Sequence, residues 1–136
     1  RAALETARGL FASTTATTIE MDLDEHDRLI AAVLGLSHAL NIVFVAALAA
    51  SGLDPERLKA VSSTTFGAQV AIAETVAREN PHLYFEIQSL NAHNGPALAA
   101  LDEAMHSLLA AVRAGDESGF VALMQRGREY LHAPPE

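Results

Sequence analysis

The sequence predicts an all-α fold: a helical dimerisation domain built on one long apolar helix, with a short helix-strand segment ahead of it. Three observations carry this expectation. Leu29 to Ala50 contains no charged residue. Alanine and leucine dominate while aromatic residues make up only 5% of the chain, a balance that favours helix over sheet. Leu98, Leu101, Met105, Leu108 and Val112 recur at three- and four-residue steps, the period of a helix packed along its length on another.

Taken in order, Arg1 to Phe11 has the character of a short helix, and Ser13 to Met21 alternates Thr15, Thr17, Ile19 and Met21 as a strand does. A single strand has nothing in this chain to pair with, so it is expected to be the last piece of an upstream sheet domain. Asp22 followed by Glu25 is a capping-box pattern, and Asp24, Glu25 and Asp27 place negative charge where a helix N-terminus favours it. Nothing then breaks the helix before Gly52, a natural helix-ending residue, which predicts a rod of about 45 Å.

Asp54-Pro55 opens a short helix through Val61, and Ser62-Ser63-Thr64 starts another that ends near Asn80. Pro81 begins the next, which Gly95-Pro96 is expected to interrupt or kink. Gly115-Asp116 makes the turn into a last helix with Phe120, Leu123, Met124, Gly127 and Leu131 on one stripe, followed by a frayed tail from His132. The expected organisation is thus 1–21 as a remnant of a preceding domain, 22–132 as the helical domain, and 133–136 as tail.

A formal net charge of −8, with Lys59 the single lysine, provides no basic patch to follow a phosphate backbone, so nucleic acid is not an expected partner. The absence of cysteine excludes a disulfide framework and a thiolate metal site, and fits a reducing, cytoplasmic setting. No cleavable leader opens the chain, and its start at Arg1 is that expected of a piece of a longer protein. The charge-free stretch is long enough to cross a membrane. Ser37, His38 and Asn41 near its middle, the lack of flanking cation clusters and the amphipathic helices elsewhere favour the buried centre of a homodimer instead.

On the long helix Asp27, Ala31, Gly35, His38 and Asn41 fall close to one face, a small and polar stripe on an otherwise greasy rod. Such a stripe either lines a site or lets helices approach closely, with His38 and Asn41 bonded to each other or to a backbone carbonyl. Downstream, Tyr84, Gln88 and Asn91 lie beside the apolar Leu83, Ile87 and Leu90; they either line a cleft or form a hydrated face. None of the six histidines has the spacing of a metal-binding pair, and His26 and Asp27, being adjacent, are expected on different sides of the helix, so no metal site is predicted. No Gly-rich phosphate loop or nucleophile elbow is present, so no catalytic residue and no cofactor-binding residue is assigned within this chain.

Glu25-His26-Asp27 followed by Leu36-Ser37-His38, then Leu58 to Ser63, Asn80-Pro81-His82-Leu83-Tyr84-Phe85-Glu86-Ile87 and Asn91, resemble the prephenate and arogenate dehydrogenase family in order and approximate spacing. The resemblance covers almost the whole chain, with the opening helix and strand matching the end of the family's Rossmann domain. It implies the C-terminal half of an NAD- or NADP-dependent oxidoreductase of tyrosine biosynthesis, in which hydride passes from prephenate or arogenate to the cofactor while the ring carboxylate leaves as CO₂. The dinucleotide loop and main catalytic histidine would lie upstream, leaving this chain inactive alone.

By the same resemblance His38 matches a histidine near the substrate and Tyr84 a cleft aromatic that is often tryptophan. Many members carry a carboxylate-binding arginine six residues before the proline that Pro81 matches; here that position is Thr75, and Arg78, one turn later, is the expected substitute. The implied substrate-binding set is His38, Thr75, Arg78, Tyr84, Gln88 and Asn91. The competing reading is a non-catalytic helical dimer or aromatic-metabolite-binding module derived from the family, and Thr75 favours it.

Overall fold

Five helix starts are set by a side chain one position ahead of the helix. In the computed structural model, which describes residues 2–133, Asp22, Asp54, Ser63, Asn80 and Asp116 each accept a backbone N–H of the first turn that follows, at 2.8 to 3.1 Å. Pro55 and Pro81 occupy first-turn positions that need no N–H donor. Gly52 and Gly115 end their helices at φ +68° and +64°, a backbone conformation that a Cβ disfavours.

The helices so delimited are α1 (Ala2–Phe11), α2 (Leu23–Ala50), α3 (Pro55–Ala60), α4 (Thr64–Ala77), α5 (Pro81–Leu90), α6 (Asn94–Ala114) and α7 (Glu117–Leu131). The all-α expectation holds. The long helix forms without a break, about 42 Å of it at the standard rise, but Ala31–Leu36 within it is π-helical. Its length and composition would suffice to cross a membrane.

Two expectations are corrected. The strand at 13–21 does not form: no strand exists among the described residues, and the extended stretch has no partner to complete a ladder. The interruption expected at Gly95-Pro96 falls earlier. Asn91 leaves the helical region at ψ 116° and Asn94 starts α6, so glycine and proline sit in the first turn of α6, where a missing N–H costs little. Arg1 and the tail from Pro134 onward lie outside the described residues.

The long helix is the centre of the arrangement. Its C-terminal half packs on α4, and its π-helical turn packs on α6 and touches α5, while α7 packs back on α6. What this buries is small. The buried apolar residues are Ala31, Ala39, Ala73 and Ala111, joined by the polar Asn41 and Asn94; no leucine, isoleucine, valine, phenylalanine or methionine reaches the buried class among the described residues. On α7, the stripe expected to pack leaves Phe120, Met124 and Leu131 exposed.

Candidate functional site

The polar stripe of α2 meets α5 and α6 at its π-helical turn. The His38 ring lies on the Tyr84 ring with centroids 4.5 Å apart and planes inclined by 30°. One turn along each helix a second contact joins the same pair: Gln88 Nε2 donates to the Gly35 carbonyl at 2.8 Å. Gly35 and His38 are one turn apart on α2, as are Tyr84 and Gln88 on α5, so four residues form a two-rung ladder. Within it His38 Nδ1 and Gln88 Oε1 are buried and have no protein partner. A π-helical turn displaces carbonyls from the regular ladder and recurs at functional sites.

Asn91 closes the corner below this ladder. Its Nδ2 donates to the Asp27 carbonyl at 2.7 Å, and its Oδ1 accepts the His93 backbone N–H at 2.9 Å. His93 Nε2 in turn meets Asp24 Oδ1 at 2.9 Å, so the α5–α6 linker is tied twice to the start of α2. Both polar ends of Asn91 are therefore engaged inside the chain.

Asn41 also uses both ends. Its amide donates to the Ser37 carbonyl and its oxygen accepts from Gln69 Nε2, each at 2.8 Å, which satisfies a residue only 6% exposed. The backbone-bonded alternative for Asn41 is the one adopted. Gln69 was not singled out from the sequence, although it is the lone polar residue in the run Phe66–Ala73. Asn94 was missed as well. It sits against Gly35 and donates to the Ile87 carbonyl, and its place beside Gly95-Pro96 read as a breaker rather than as packing.

Thr75 and Arg78 lie elsewhere, at the end of α4. The Thr75 hydroxyl donates to the Ile72 carbonyl at 2.7 Å, and the exposed Arg78 pairs with Glu74 one turn earlier. The structure thus gathers His38, Tyr84 and Gln88, ties Asn91 just beside them, and leaves Thr75 and Arg78 on a different helix with no bond to the group. His26 Nδ1 and Asp27 Oδ1 do meet, at 3.0 Å, contrary to expectation, because both side chains bend round the exposed helix surface. No third metal-capable side chain joins them among the described residues. The single lysine, Lys59, is held by Glu56 at 2.8 Å, which raises its pKa.

The class of protein follows from this helical framework and from comparison with known families. The chain belongs to the prephenate dehydrogenase family through that family's dimerization domain, whose model matches residues 22–126. It is similar to 4-amino-4-deoxyprephenate dehydrogenase of Streptomyces pristinaespiralis, with 32% identity over 122 residues that are 90% of this chain and 41% of that protein. It is also similar to a probable arogenate/prephenate dehydrogenase of Methanocaldococcus jannaschii, 24% identical over 116 residues, 85% of this chain and 26% of that protein. The chain therefore spans less than half the length of either relative. No solved structure matches it.

Proposed function

We propose that this chain is the dimerisation and substrate half of a cytoplasmic dehydrogenase that oxidatively decarboxylates a prephenate-type cyclohexadienyl acid in aromatic amino acid biosynthesis. The observation that carries the reading is the His38–Tyr84 stack with Gln88 beside it, in a domain of this family. A flat aromatic pair and two unpartnered polar atoms suit a six-membered ring bearing polar groups. The cofactor, NAD or NADP, accepts the hydride when bound to the whole enzyme.

The residues present do not fit a dinucleotide. Pyrophosphate binding on this pattern needs a glycine-rich turn between a strand and a free helix N-terminus. Among the described residues there is no strand, and the N-termini of α2, α3, α4, α5 and α7 are already capped by their own side chains, three of them aspartates that would repel phosphate. Cofactor binding accordingly belongs to another part of the parent polypeptide, of which residues 1–21 are the last piece.

The test is to express this chain alone and joined to the coding sequence that precedes Arg1. Reduction of NAD or NADP is then followed with prephenate, arogenate and 4-amino-4-deoxyprephenate. The longer protein is expected to turn over at least one of the three, and the chain alone to show neither turnover nor sub-millimolar NAD binding. A longer protein inert toward all three would favour the second reading, a non-catalytic module, for which the threonine at position 75 and the engagement of Arg78 by Glu74 are the supporting observations.

A further inference from the structure

We infer that the domain has no folded monomer: its hydrophobic core lies between two copies of this chain, so that folding and dimerisation are one event. This rests on the dimerisation reading above and goes further, because a dimer of independently folded subunits would satisfy that reading equally well.

The chain exposes 10944 Å², whereas a compact monomer of 14.4 kDa exposes about 6,800 Å². Part of the excess of about 4,000 Å² lies on α1 and the exposed segment behind it. The rest lies on apolar helix faces. Along the long helix Leu29, Val33, Leu40 and Val43 are between 45% and 62% exposed, and on α6 Met105, Leu109 and Val112 between 39% and 62%. A groove of about 250 Å³ lined by Leu40, Val43, Leu98, Leu101 and Met105 joins the two stripes into one face.

A folded monomer would have to present this surface to water with only four alanines buried as its apolar core. Monomers rarely show apolar patches beyond a few hundred Å², and alanine burial cannot offset the ordering entropy of some 130 residues. Homodimers that fold only together bury about 2,000 to 5,000 Å² of apolar surface in total, which is the scale of what is uncovered here. A second copy is the occupant of matching chemistry: an apolar face with few charges, able to meet itself about a two-fold axis. The His38–Tyr84 ladder is built on the same helix, so the site as well depends on the second copy for its scaffold.

The experiment is equilibrium urea unfolding of the chain at concentrations spanning three decades, with helicity and sedimentation read on the same samples. The expected result is a loss of helicity that coincides with the loss of dimer, at a midpoint that rises with concentration. The variant Leu40→Glu plus Val43→Glu should lose helicity as well as mass, whereas Val61→Glu, at a residue 81% exposed outside this face, should change neither. In an independently folded subunit the first variant would be harmless, since Leu40 and Val43 are exposed there. A helical monomer, from dilution or from this variant, overturns the inference while leaving the family and the dimer intact. So does a concentration-independent midpoint. A chain that is unfolded alone but folds as a monomer when joined to its upstream sequence would assign the face to that domain and also overturn it.

Discussion

Asn94 fills the space that Gly35 leaves open: a Cβ built at position 35 collides with the Asn94 side-chain amide. Asn94 is 1% exposed, and its amide N–H holds the Ile87 carbonyl at the end of α5. The missing side chain on α2 therefore sets how closely α6 approaches the turn that carries His38. Gly35→Ala is expected to destabilise the domain by about 1–3 kcal/mol through overpacking. Adding Asn94→Ala should cost less on the Gly35→Ala background than on the wild type, because the collision is then relieved. Denaturant midpoints of the four proteins measure this, and strict additivity would show that the two residues are not coupled.

Asn91 should behave as a tie and not as a ligand-contacting group, since both ends of its amide are already bonded. Asn91→Ala leaves the Asp27 carbonyl without this donor and frees the His93 N–H, at an expected cost of about 1–3 kcal/mol. In the whole enzyme KM should move less than stability. A melting temperature equal to wild type combined with a tenfold rise in KM would instead place Asn91 in contact with substrate.

Asp116 links acid to the last helix. The Gly119 backbone N–H, and after it the Ser118 hydroxyl, hold its carboxyl below the ordinary value of 3.8. The folded state thus prefers the carboxylate, so the stabilisation is complete above 3.8 and is lost as pH falls through the lower folded value. Asp116→Asn, which still caps, should flatten the acid loss of stability while changing little at neutral pH. Midpoints compared across that range report the difference, and identical acid profiles would remove Asp116 from the account.

Arg78 is the remaining cation in the implied substrate set. Its pair with Glu74 is exposed on both sides, 76% and 55%, so breaking it should barely change stability. If it has taken over the role vacated at Thr75, Arg78→Ala in the whole enzyme lowers kcat/KM about ten- to a hundred-fold. Arg78→Ala plus Thr75→Arg should restore it. Wild-type kcat/KM in the single variant, with every substrate turned over, would end that role.

Helix starts and stops were legible in the residues because they are local. A capping carboxylate and the N–H it accepts are two or three positions apart, as at Asp22, Asp54 and Asp116, and a left-handed glycine acts at its own residue. The same locality misled at Gly95-Pro96, where a breaker pair is equally at home in a first turn. His38, Tyr84 and Gln88 were legible as types on faces, but their meeting was not.

The residues alone thus settled that this is an all-helical chain with an uncharged central rod and no dinucleotide loop, since composition, period and capping are properties of short windows. Only the tertiary structure decided that Gln69 reaches Asn41 across 28 residues and Gln88 reaches Gly35 across 53, or that α2 takes a π-helical turn where α5 and α6 dock. Those pairings depend on which helix faces meet, and that choice comes from packing between distant segments, which no local window contains.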